Sequence, residues 1–198
     1  RQMCIRDRNG FLTAPIMVRK MKFKSIVMAG VLSVVPVIAQ AQPKSIESIL
    51  DWNVNPIECL ALNMYHEARD QGTAGILAVS AVVLNRVMDN RFPNSICEVI
   101  YQGPVRKSWK RNGTHFPIKN KCQFSWYCDG KSDTPHNKEQ YQRLLEISEA
   151  ILYNKLTTID ITDGALFYHA DHIMPGWAKT KQRTTEIGDH IFYTWKVK

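Results

Sequence analysis

Internal repeats are absent from this sequence, and so is any pair of cysteines at C-x2-C spacing. The missing pair disfavours a four-cysteine zinc site, which stays an alternative. The zinc-peptidase pattern H-E-x-x-H is also incomplete, because His66-Glu67 is followed at the second histidine position by Asp70. Aspartate can ligate zinc, so a zinc amidase or peptidase is a further alternative. Distant residues that could complete its metal site are His169, Asp171 and His172. We expect neither a metal nor another cofactor.

Net charge is small in the part of the chain that follows residue 41. The whole chain carries 26 Lys and Arg residues against 18 Asp and Glu residues, a formal charge of +8. Residues 1–41 hold seven of the basic and one of the acidic residues, which leaves 19 against 17 and a charge of +2 for the remainder. So small an excess is not the electrostatic footprint of a nucleic-acid-binding protein. We therefore expect no nucleic-acid partner.

The first 41 residues have the pattern of a leader rather than of a folded segment. Residues 1–16 do not begin with methionine and resemble a translated sequencing adapter, so we expect a gene-model artefact there. Residues 17–41 combine a basic start, the apolar run SIVMAGVLSVVPVIA and small residues at Ala39 and Ala41, which is typical of a cleaved signal peptide. A membrane anchor is the alternative, but the apolar run is short and contains Pro36. We expect cleavage after Ala41 and export to the periplasm, the cell envelope or the exterior.

Four cysteines follow the leader, and they are Cys59, Cys97, Cys122 and Cys128. An even number of cysteines in an exported chain favours two disulfides. Of the three possible pairings, we favour Cys59 with Cys97 and Cys122 with Cys128. The second pair would close a short loop around the sequence QFSWY.

Helical patterns dominate the chain after a polar lead-in over residues 42–54, so we predict a mainly α domain over residues 55–198. Asn55-Pro56 has the residue types of a helix start, and Gly72 would end this first helix. Residues 74–87 are apolar nearly all round, as in a helix at the centre of a domain. The further predicted elements are a short helix over 95–101, a loop over 102–137, a helix over 138–154 and an aromatic, irregular or short-stranded final segment.

Glu67 lies at the edge of the apolar face of the first predicted helix. At about 100° per residue, that face holds Leu60 and Met64, while His66 falls on the far side. A carboxyl group held against apolar side chains resists ionisation, which raises its pKa and suits a general acid. From the helical pattern alone, a boundary glutamate paired with an arginine or a buried amide is the favoured interpretation.

Ordered motifs then extend from about residue 58 to residue 193. The stretch ECLALNMYHEARDQGTAGILAVSAVVLNRV is followed by Phe92-Pro93, by SICEVIYQ and by Gln-Phe-Ser at residues 123–125. The last matching elements are residues 165–169, Trp177 and residues 187–193. This series resembles the SleB/CwlJ-type cell wall hydrolases, which combine a Y-x-E-A-R element with V-V-x-N-R-V and the later motifs in this order. The resemblance covers nearly the whole chain after the leader.

The resemblance implies a peptidoglycan-cleaving enzyme with a lysozyme-like, lytic-transglycosylase-related fold, here one α+β domain with long loops and little strand. The family's essential glutamate lies in the E-A-R element, which is Glu67 in this chain. The implied reaction is cleavage of the β-1,4 bond between N-acetylmuramic acid and N-acetylglucosamine, with Glu67 as the proton donor. A lytic transglycosylase closes a 1,6-anhydro ring, whereas a muramidase uses water and usually a second carboxylate. No second carboxylate is obvious, because Glu58 lies on the other side of the helix, Asp70 is one turn away, and Asp129 or Asp163 would depend on loop placement. The transglycosylase route is therefore favoured.

Further site residues follow from the resemblance and from their chemistry. We expect amides, hydroxyls and aromatic rings to contact the sugars, with turn stabilisation or core packing as the alternative. These residues are Gln123, Ser125, Tyr168, Trp177 and Tyr193. Residues expected to support the site are Tyr65, Arg69, Asn85, Arg86 and His190, the last by satisfying a buried backbone group. The family often has E-A-R-G-E, whereas residues 67–71 here are E-A-R-D-Q, so Asp70 is a candidate substitute for the second acid.

Partner expectations complete the sequence interpretation. We expect a monomer that binds peptidoglycan glycan strands, with a regulatory or wall-associated protein as a further partner. We expect no separate wall-binding repeat domain, so that targeting would come from the catalytic domain or from that partner. The basic stretch at residues 106–121 is interpreted as a solvated loop, with anionic wall polymers or muramyl-peptide carboxylates as alternative contacts. A non-catalytic wall-binding protein is the rival function from another class.

Overall fold

The computed structural model describes residues 55–110, 112–153 and 160–196. The predictions for residues 1–16, the signal peptide and the lead-in fall outside these residues. Within them the fold is mainly α with two small antiparallel sheets, which confirms the predicted fold class. The helices are α1 (Pro56–Ala68), α2 (Gly72–Met88), α3 (Ile96–Ile100) and α4 (Lys138–Leu152). The strands are β1 (Val105–Lys107), β2 (His115–Pro117), β3 (Phe167–Ala170), β4 (Lys181–Ile187) and β5 (His190–Trp195).

The start of α1 follows the capping pattern in the sequence. The Asn55 side chain accepts hydrogen bonds from the backbone N–H groups of Ile57 and Glu58, and Pro56 occupies the first helical position. The predicted end is wrong by several residues, because α1 ends at Ala68 and Gly72 is instead the first residue of α2. Gly72 has a φ of +66°, a left-handed conformation in which glycine is unstrained, and it allows the sharp corner between the two helices.

The hydrophobic core forms around α1, where α2, α3 and α4 pack against it. Leu60, Met64 and Tyr65 of α1 are fully buried, and Val83 and Val87 of α2 join the same cluster. The Cys59–Cys97 disulfide joins α1 to α3, and the second disulfide joins Cys122 to Cys128. Both predicted pairings are therefore confirmed.

The segment predicted as a loop over residues 102–137 contains more regular structure than its composition indicated. Strands β1 and β2 form an antiparallel hairpin, and Ser125–Cys128 forms a 3₁₀ helix inside the second disulfide loop. Short strands with exposed charged residues give no alternating hydrophobic pattern, which is why the sequence does not reveal the hairpin.

The C-terminal segment forms a three-stranded antiparallel sheet in the order β3-β5-β4. Phe192 of β5 packs against Ala78 and Val82 of α2, so one face of this sheet covers the helix next to α1. Residues 176–180 form a second 3₁₀ helix, which leads into β4. None of the helices in the described ranges is long and apolar enough to span a bilayer.

Candidate active site

The side chain of Glu67 lies in the last turn of α1, mostly buried but open to a cavity. Desolvation by burial raises the pKa of Glu67 from its ordinary value of 4.5. A hydrogen bond from Tyr168 and the positive charge of Arg86 act in the opposite direction without cancelling the effect of burial. The carboxyl group is therefore a weaker acid than an exposed glutamate, as the helical pattern predicted.

Tyr168 of β3 fixes the orientation of that carboxyl group. Its hydroxyl donates a hydrogen bond of 2.8 Å to Oε2 of Glu67. The tyrosine ring is held by Phe192 and by the edge of His190, with ring centroids 5.6 Å and 5.1 Å away. Burial and the neighbouring Glu67 raise the pKa of Tyr168 well above its ordinary value, so the hydroxyl keeps its proton and remains a donor.

Arg86 of α2 places a buried positive charge behind the same pair. Its side chain is 4% exposed, and its Nε donates a 2.7 Å hydrogen bond to the carbonyl oxygen of Leu166. The guanidinium carbon lies 5.3 Å from the ring centroids of both Phe92 and Phe124. Within the described residues, its Nη1 has no hydrogen-bond partner. Burial lowers the pKa of Arg86, while Tyr168 and Glu67 oppose that change.

A cavity of about 420 Å³, here called the Glu67 cavity, opens beside the carboxyl group. His66 forms part of its wall rather than pointing to the far side of the helix, so that prediction is wrong. The imidazole stacks on Trp126 at 4.6 Å between centroids, and its Nε2 is hydrogen-bonded to the carbonyl oxygen of Asp133. Other lining residues are Tyr65, Arg69, Ser125, Asp129, Lys131, Ser132 and His136. Across the described part of the chain, no group of three His, Cys, Asp or Glu residues is arranged to hold a metal ion.

A second cavity of about 420 Å³, here called the aromatic cavity, is bordered by Tyr168. Three residues predicted to bind sugar meet there, namely Gln123, Tyr168 and Trp177. Arg86, Cys122, Phe167 and Lys181 complete its lining. Ser125 thus lines the Glu67 cavity, whereas Gln123 and Trp177 line the aromatic cavity. Tyr168 lines the aromatic cavity and is hydrogen-bonded to Glu67.

Tyr193 and His190 occupy packing positions. The Tyr193 ring is buried, stacks on His169 at 5.2 Å and is hydrogen-bonded to that residue's Nε2. A ring in this position has no free face for a sugar, so we assign it to sheet packing rather than to substrate binding. His190 is buried against Tyr168, and its Nδ1 has no hydrogen-bond partner among the described residues. Burial lowers the pKa of His190.

The remaining supporting residues stabilise the elements around Glu67. The Tyr65 hydroxyl accepts a hydrogen bond from the backbone of Asn137, which fixes the start of α4. The guanidinium of Arg69 lies 5.1 Å from the Tyr65 ring centroid. The side-chain amide of Asn85 donates hydrogen bonds to Asp160 and to the carbonyl oxygen of Ala165 rather than to Glu67. It joins α2 to the segment before β3.

Asp129 and Asp133, on the loop after the 3₁₀ helix, both line the Glu67 cavity. The sequence indicated Asp129 as a candidate second acid that depends on loop placement, and it did not indicate Asp133. The other such candidate, Asp163, lines neither the Glu67 cavity nor the aromatic cavity. Burial is the largest influence on Asp133 and raises its pKa. These acids reach the Glu67 cavity because of how their loop is placed, and a loop has no periodic sequence pattern from which that position could be predicted. By contrast, the Asp70 carboxylate is 81% exposed and paired with Arg69 at 3.5 Å.

The position that often holds a second acid in the resembling family is Gln71 here, and its amide has a structural role. Its Oε1 accepts a hydrogen bond of 2.8 Å from the backbone N–H of Asp189, and its Nε2 donates one of 3.0 Å to the Asp189 carboxylate. These two bonds join the corner between α1 and α2 to the turn between β4 and β5. Asp70 takes no part in these two bonds.

Comparison with known proteins assigns the class of protein. Residues 70–193 match the family model described as Cell Wall Hydrolase. The match covers more than half of the chain and begins three residues after Glu67. The chain therefore belongs to the Cell Wall Hydrolase family, as the sequence motifs predicted.

The chain is also similar to individual proteins of known description. The chain is 27% identical over 142 residues to the spore cortex-lytic enzyme of Bacillus cereus, covering 71% of this chain and 45% of that enzyme. The chain thus spans less than half the length of this relative. One similar solved structure is the catalytic domain of the Bacillus cereus SleB protein, with 26% identity and a TM-score of 0.47. Another is the catalytic domain of the germination-specific lytic transglycosylase SleB from Bacillus anthracis, with 26% identity and a TM-score of 0.48. Each comparison covers 70% of this chain, and 89% and 93% of the respective domains.

Proposed function

We propose that this protein is an exported peptidoglycan glycosidase that cleaves the β-1,4 bond between N-acetylmuramic acid and N-acetylglucosamine as a lytic transglycosylase. Glu67 is its catalytic acid and base, in the lysozyme-like type of domain that the resemblance implies. The observation that carries this proposal is the desolvated Glu67 carboxyl group, which opens into a cavity and is oriented by Tyr168. Membership of the Cell Wall Hydrolase family supports a wall polymer as the substrate.

The reaction needs one group that gives a proton and then takes one back. Protonated Glu67 donates its proton to the glycosidic oxygen as the bond from that oxygen to the muramoyl C1 breaks, and N-acetylglucosamine leaves with a free 4-hydroxyl. The muramoyl 6-hydroxyl then attacks C1, and its proton passes to the Glu67 carboxylate. The 1,6-anhydro ring closes without consuming water, and Glu67 is again protonated. Tyr168 and Arg86 stabilise the intermediate carboxylate, since both favour its charged form.

The aromatic cavity is the proposed site for a sugar ring next to the cleaved bond. Aromatic faces suit the C–H surfaces of pyranose rings, and Trp177 and Tyr168 both line this cavity. The Gln123 amide can hydrogen-bond an N-acetyl or hydroxyl group, and Ser125 can do so in the Glu67 cavity. A glycan strand across both cavities would pass Tyr168, beside Glu67.

Asp129 and Asp133 support a muramidase as the second candidate function. Both line the Glu67 cavity, and a hydrolase that uses water usually has a second carboxylate in addition to its acid. The transglycosylase remains the main proposal because it uses Glu67 for both proton transfers. Asp129→Asn and Asp133→Asn separate the two candidates: a muramidase would lose about 10²-fold or more in kcat with one of them, whereas the transglycosylase would keep its kcat within a few-fold. Asp163→Asn, at an exposed turn outside both cavities, is the matched control.

The decisive experiment is digestion of purified peptidoglycan with mass spectrometry of the fragments. Products that end in 1,6-anhydro-muramic acid are expected, whereas reducing muramic acid ends would identify the muramidase. Free stem peptides would overturn both and support the zinc amidase or peptidase alternative. Binding of peptidoglycan without any product would establish a non-catalytic wall-binding protein instead.

A further inference from the structure

The hairpin formed by residues 105–117, here called the basic hairpin, is a separate exposed feature. Strands β1 and β2 pair through Val105 with Pro117, Arg106 with Phe116 and Lys107 with His115. At the end of the strands, the Ser108 N–H donates a 2.8 Å hydrogen bond to the carbonyl oxygen of Thr114. Apart from Pro117, every strand residue is exposed.

Charge on and around this hairpin has one sign. Residues 99–128 contain six Lys or Arg residues and no Asp or Glu. Arg106, Lys107 and Lys110 are exposed, and none of them forms an ion pair with any described residue. Uncompensated cations that lie this close together attract an anionic surface and have no acid nearby to repel it.

Large apolar side chains stand among these cations. Trp109, just after the first strand, is 89% exposed, the highest value of any large hydrophobic residue described. Val105 and Phe116 are exposed as well. Between Trp109 and Phe116 lies a cavity of about 340 Å³, whose other walls are Arg106, Lys107, Ser108 and Lys110. Apolar groups this exposed in a folded domain mark an interaction surface.

We propose that the basic hairpin docks the protein peripherally on a membrane surface rich in anionic phospholipids. Trp109 would enter the interface between headgroups and acyl chains, where indole rings are favoured, and the three cations would pair with lipid phosphates. The cavity between Trp109 and Phe116 is lined by donors for such a phosphate.

The geometry of Trp109 favours a lipid surface over a glycan. A sugar-binding aromatic presents one face as a platform against the protein surface, as Trp177 can in the aromatic cavity. Trp109 instead projects almost completely, and the Lys110 ammonium lies 4.9 Å from the centroid of its ring. A cation beside a projecting indole is the combination found at membrane interfaces. The inference does not depend on the glycosidase proposal, because no basic-hairpin residue lines either of its cavities.

Vesicle co-sedimentation tests the proposal. The protein is purified after export, and all variants are compared in the same processed form. One set of vesicles is phosphatidylcholine alone, and the other contains phosphatidylcholine and phosphatidylglycerol in equal parts. We expect binding to the anionic vesicles that weakens as salt is added. Each cation should contribute about fivefold to this binding, so the triple variant Arg106→Gln, Lys107→Gln, Lys110→Gln should lose about 100-fold.

Trp109→Ser isolates the apolar contribution and should weaken anionic-vesicle binding at least about tenfold. The matched controls are Lys138→Gln, Arg143→Gln, Lys179→Gln for charge and Met174→Ser for an exposed apolar side chain; they should leave vesicle binding unchanged. Cleavage of soluble glycan fragments should also be unchanged in Trp109→Ser. The proposal is overturned if anionic vesicles bind no better than neutral ones, or if the controls lose as much as the hairpin variants. It is equally overturned if the hairpin residues are required for binding to isolated wall polymer and not to vesicles.

Discussion

At the scale of single residues, burial and two neighbouring side chains shift the pKa of Glu67 in opposite directions. Burial disfavours the carboxylate, while the Tyr168 hydroxyl and the Arg86 charge favour it, and burial dominates. A group that first donates and later accepts a proton needs a pKa between the extremes that either influence alone would produce. The pKa of Glu67 therefore depends on how α1, α2 and β3, which carry residues 67, 86 and 168, pack together.

Glu67→Gln should abolish cleavage and leave the fold intact. Loss of general acid catalysis is expected to lower kcat by about 10²–10⁴-fold. Because the pKa of Glu67 is raised in the folded state, its ionisation costs stability as the pH rises above 4.5, the ordinary value. The variant should therefore be at least as stable as the parent at pH ~7 and lose any advantage below pH ~4.5. Urea unfolding at both pH values measures this, and activity that survives the substitution would refute the assignment.

Tyr168→Phe should move the pH dependence of cleavage rather than abolish it. The hydroxyl donates to Oε2 of Glu67 and stabilises the carboxylate, so its removal raises the pKa of Glu67 further. The alkaline limb of kcat/KM should shift to higher pH, and kcat should fall by about tenfold because the charged intermediate loses a hydrogen bond. Tyr141→Phe on α4 is the control with an unchanged profile. An unchanged profile for Tyr168→Phe as well would refute the role assigned to Tyr168.

The helical period was sufficient to place Glu67 against the apolar side of α1, because that relation is local. It could not place His66, whose environment comes from Trp126 and Asp133, far along the chain. Likewise, Tyr168 was recognisable as a site residue, but its hydrogen bond to Glu67 depends on how β3 packs beside α1.

At the scale of elements, the two disulfides have different tasks. Cys59–Cys97 joins two core helices across 38 residues of chain, whereas Cys122–Cys128 closes a loop of sequence separation 6. The small loop carries Ser125, which lines the Glu67 cavity, and Gln123, which lines the aromatic cavity. The first bridge therefore acts mainly on stability and the second mainly on the site.

Replacing each pair by serines should separate these effects. Loop-closure entropy predicts a loss of about 4 kcal/mol for Cys59→Ser, Cys97→Ser and about 2 kcal/mol for Cys122→Ser, Cys128→Ser. The second variant should nonetheless show the larger rise in KM, because Gln123 and Ser125 lose their fixed positions. Chemical unfolding and steady-state kinetics at a temperature where both variants are folded measure the two quantities. An equal KM in both variants would contradict the assignment of the small loop to the site.

Element boundaries were predictable where a capping residue marks them. Asn55 and Ser95 start α1 and α3 as expected, since their side chains accept backbone N–H groups in the first turn. Gly72 was misassigned because a glycine with positive φ serves equally well after one helix or at the start of the next. The basic hairpin was missed because its strands are too short and too exposed to show a period.

At the scale of the whole molecule, buried titratable groups give stability a pH dependence with opposing contributions. Burial lowers the pKa of His190 from 6.5. Burial would raise the pKa of Asp160, but hydrogen bonds from Thr162, Asn85 and Gly164 lower it below 3.8. Both folded-state values are depressed, so their stability contributions are present above the unfolded values and are lost on acidification. Glu67 opposes them, because its pKa is raised.

The free energy of unfolding should therefore fall with decreasing pH once Glu67 no longer contributes. In the Glu67→Gln background we expect stability to decline as the pH falls below about 6.5, through His190, and again below about 3.8, through Asp160. Adding His190→Asn should flatten the first decline, and adding Asp160→Asn the second. Thermal unfolding across this pH range measures both, and a flat profile in the Glu67→Gln background would contradict the expectation.

The paired hydrogen bonds between Gln71 and Asp189 couple two positions that are 118 residues apart in the chain. Glutamate at position 71 could accept from the Asp189 backbone but could not donate to its carboxylate, and two negative charges would face each other. Gln71→Glu should thus destabilise this protein by about 0.5–1 kcal/mol, and Asp189→Asn should restore what is lost. A double-mutant cycle by urea unfolding measures that coupling, and additive effects would refute it. The corner between α1 and α2 and the turn between β4 and β5 are thus held together by one side chain on each, so a replacement at either position loosens both segments.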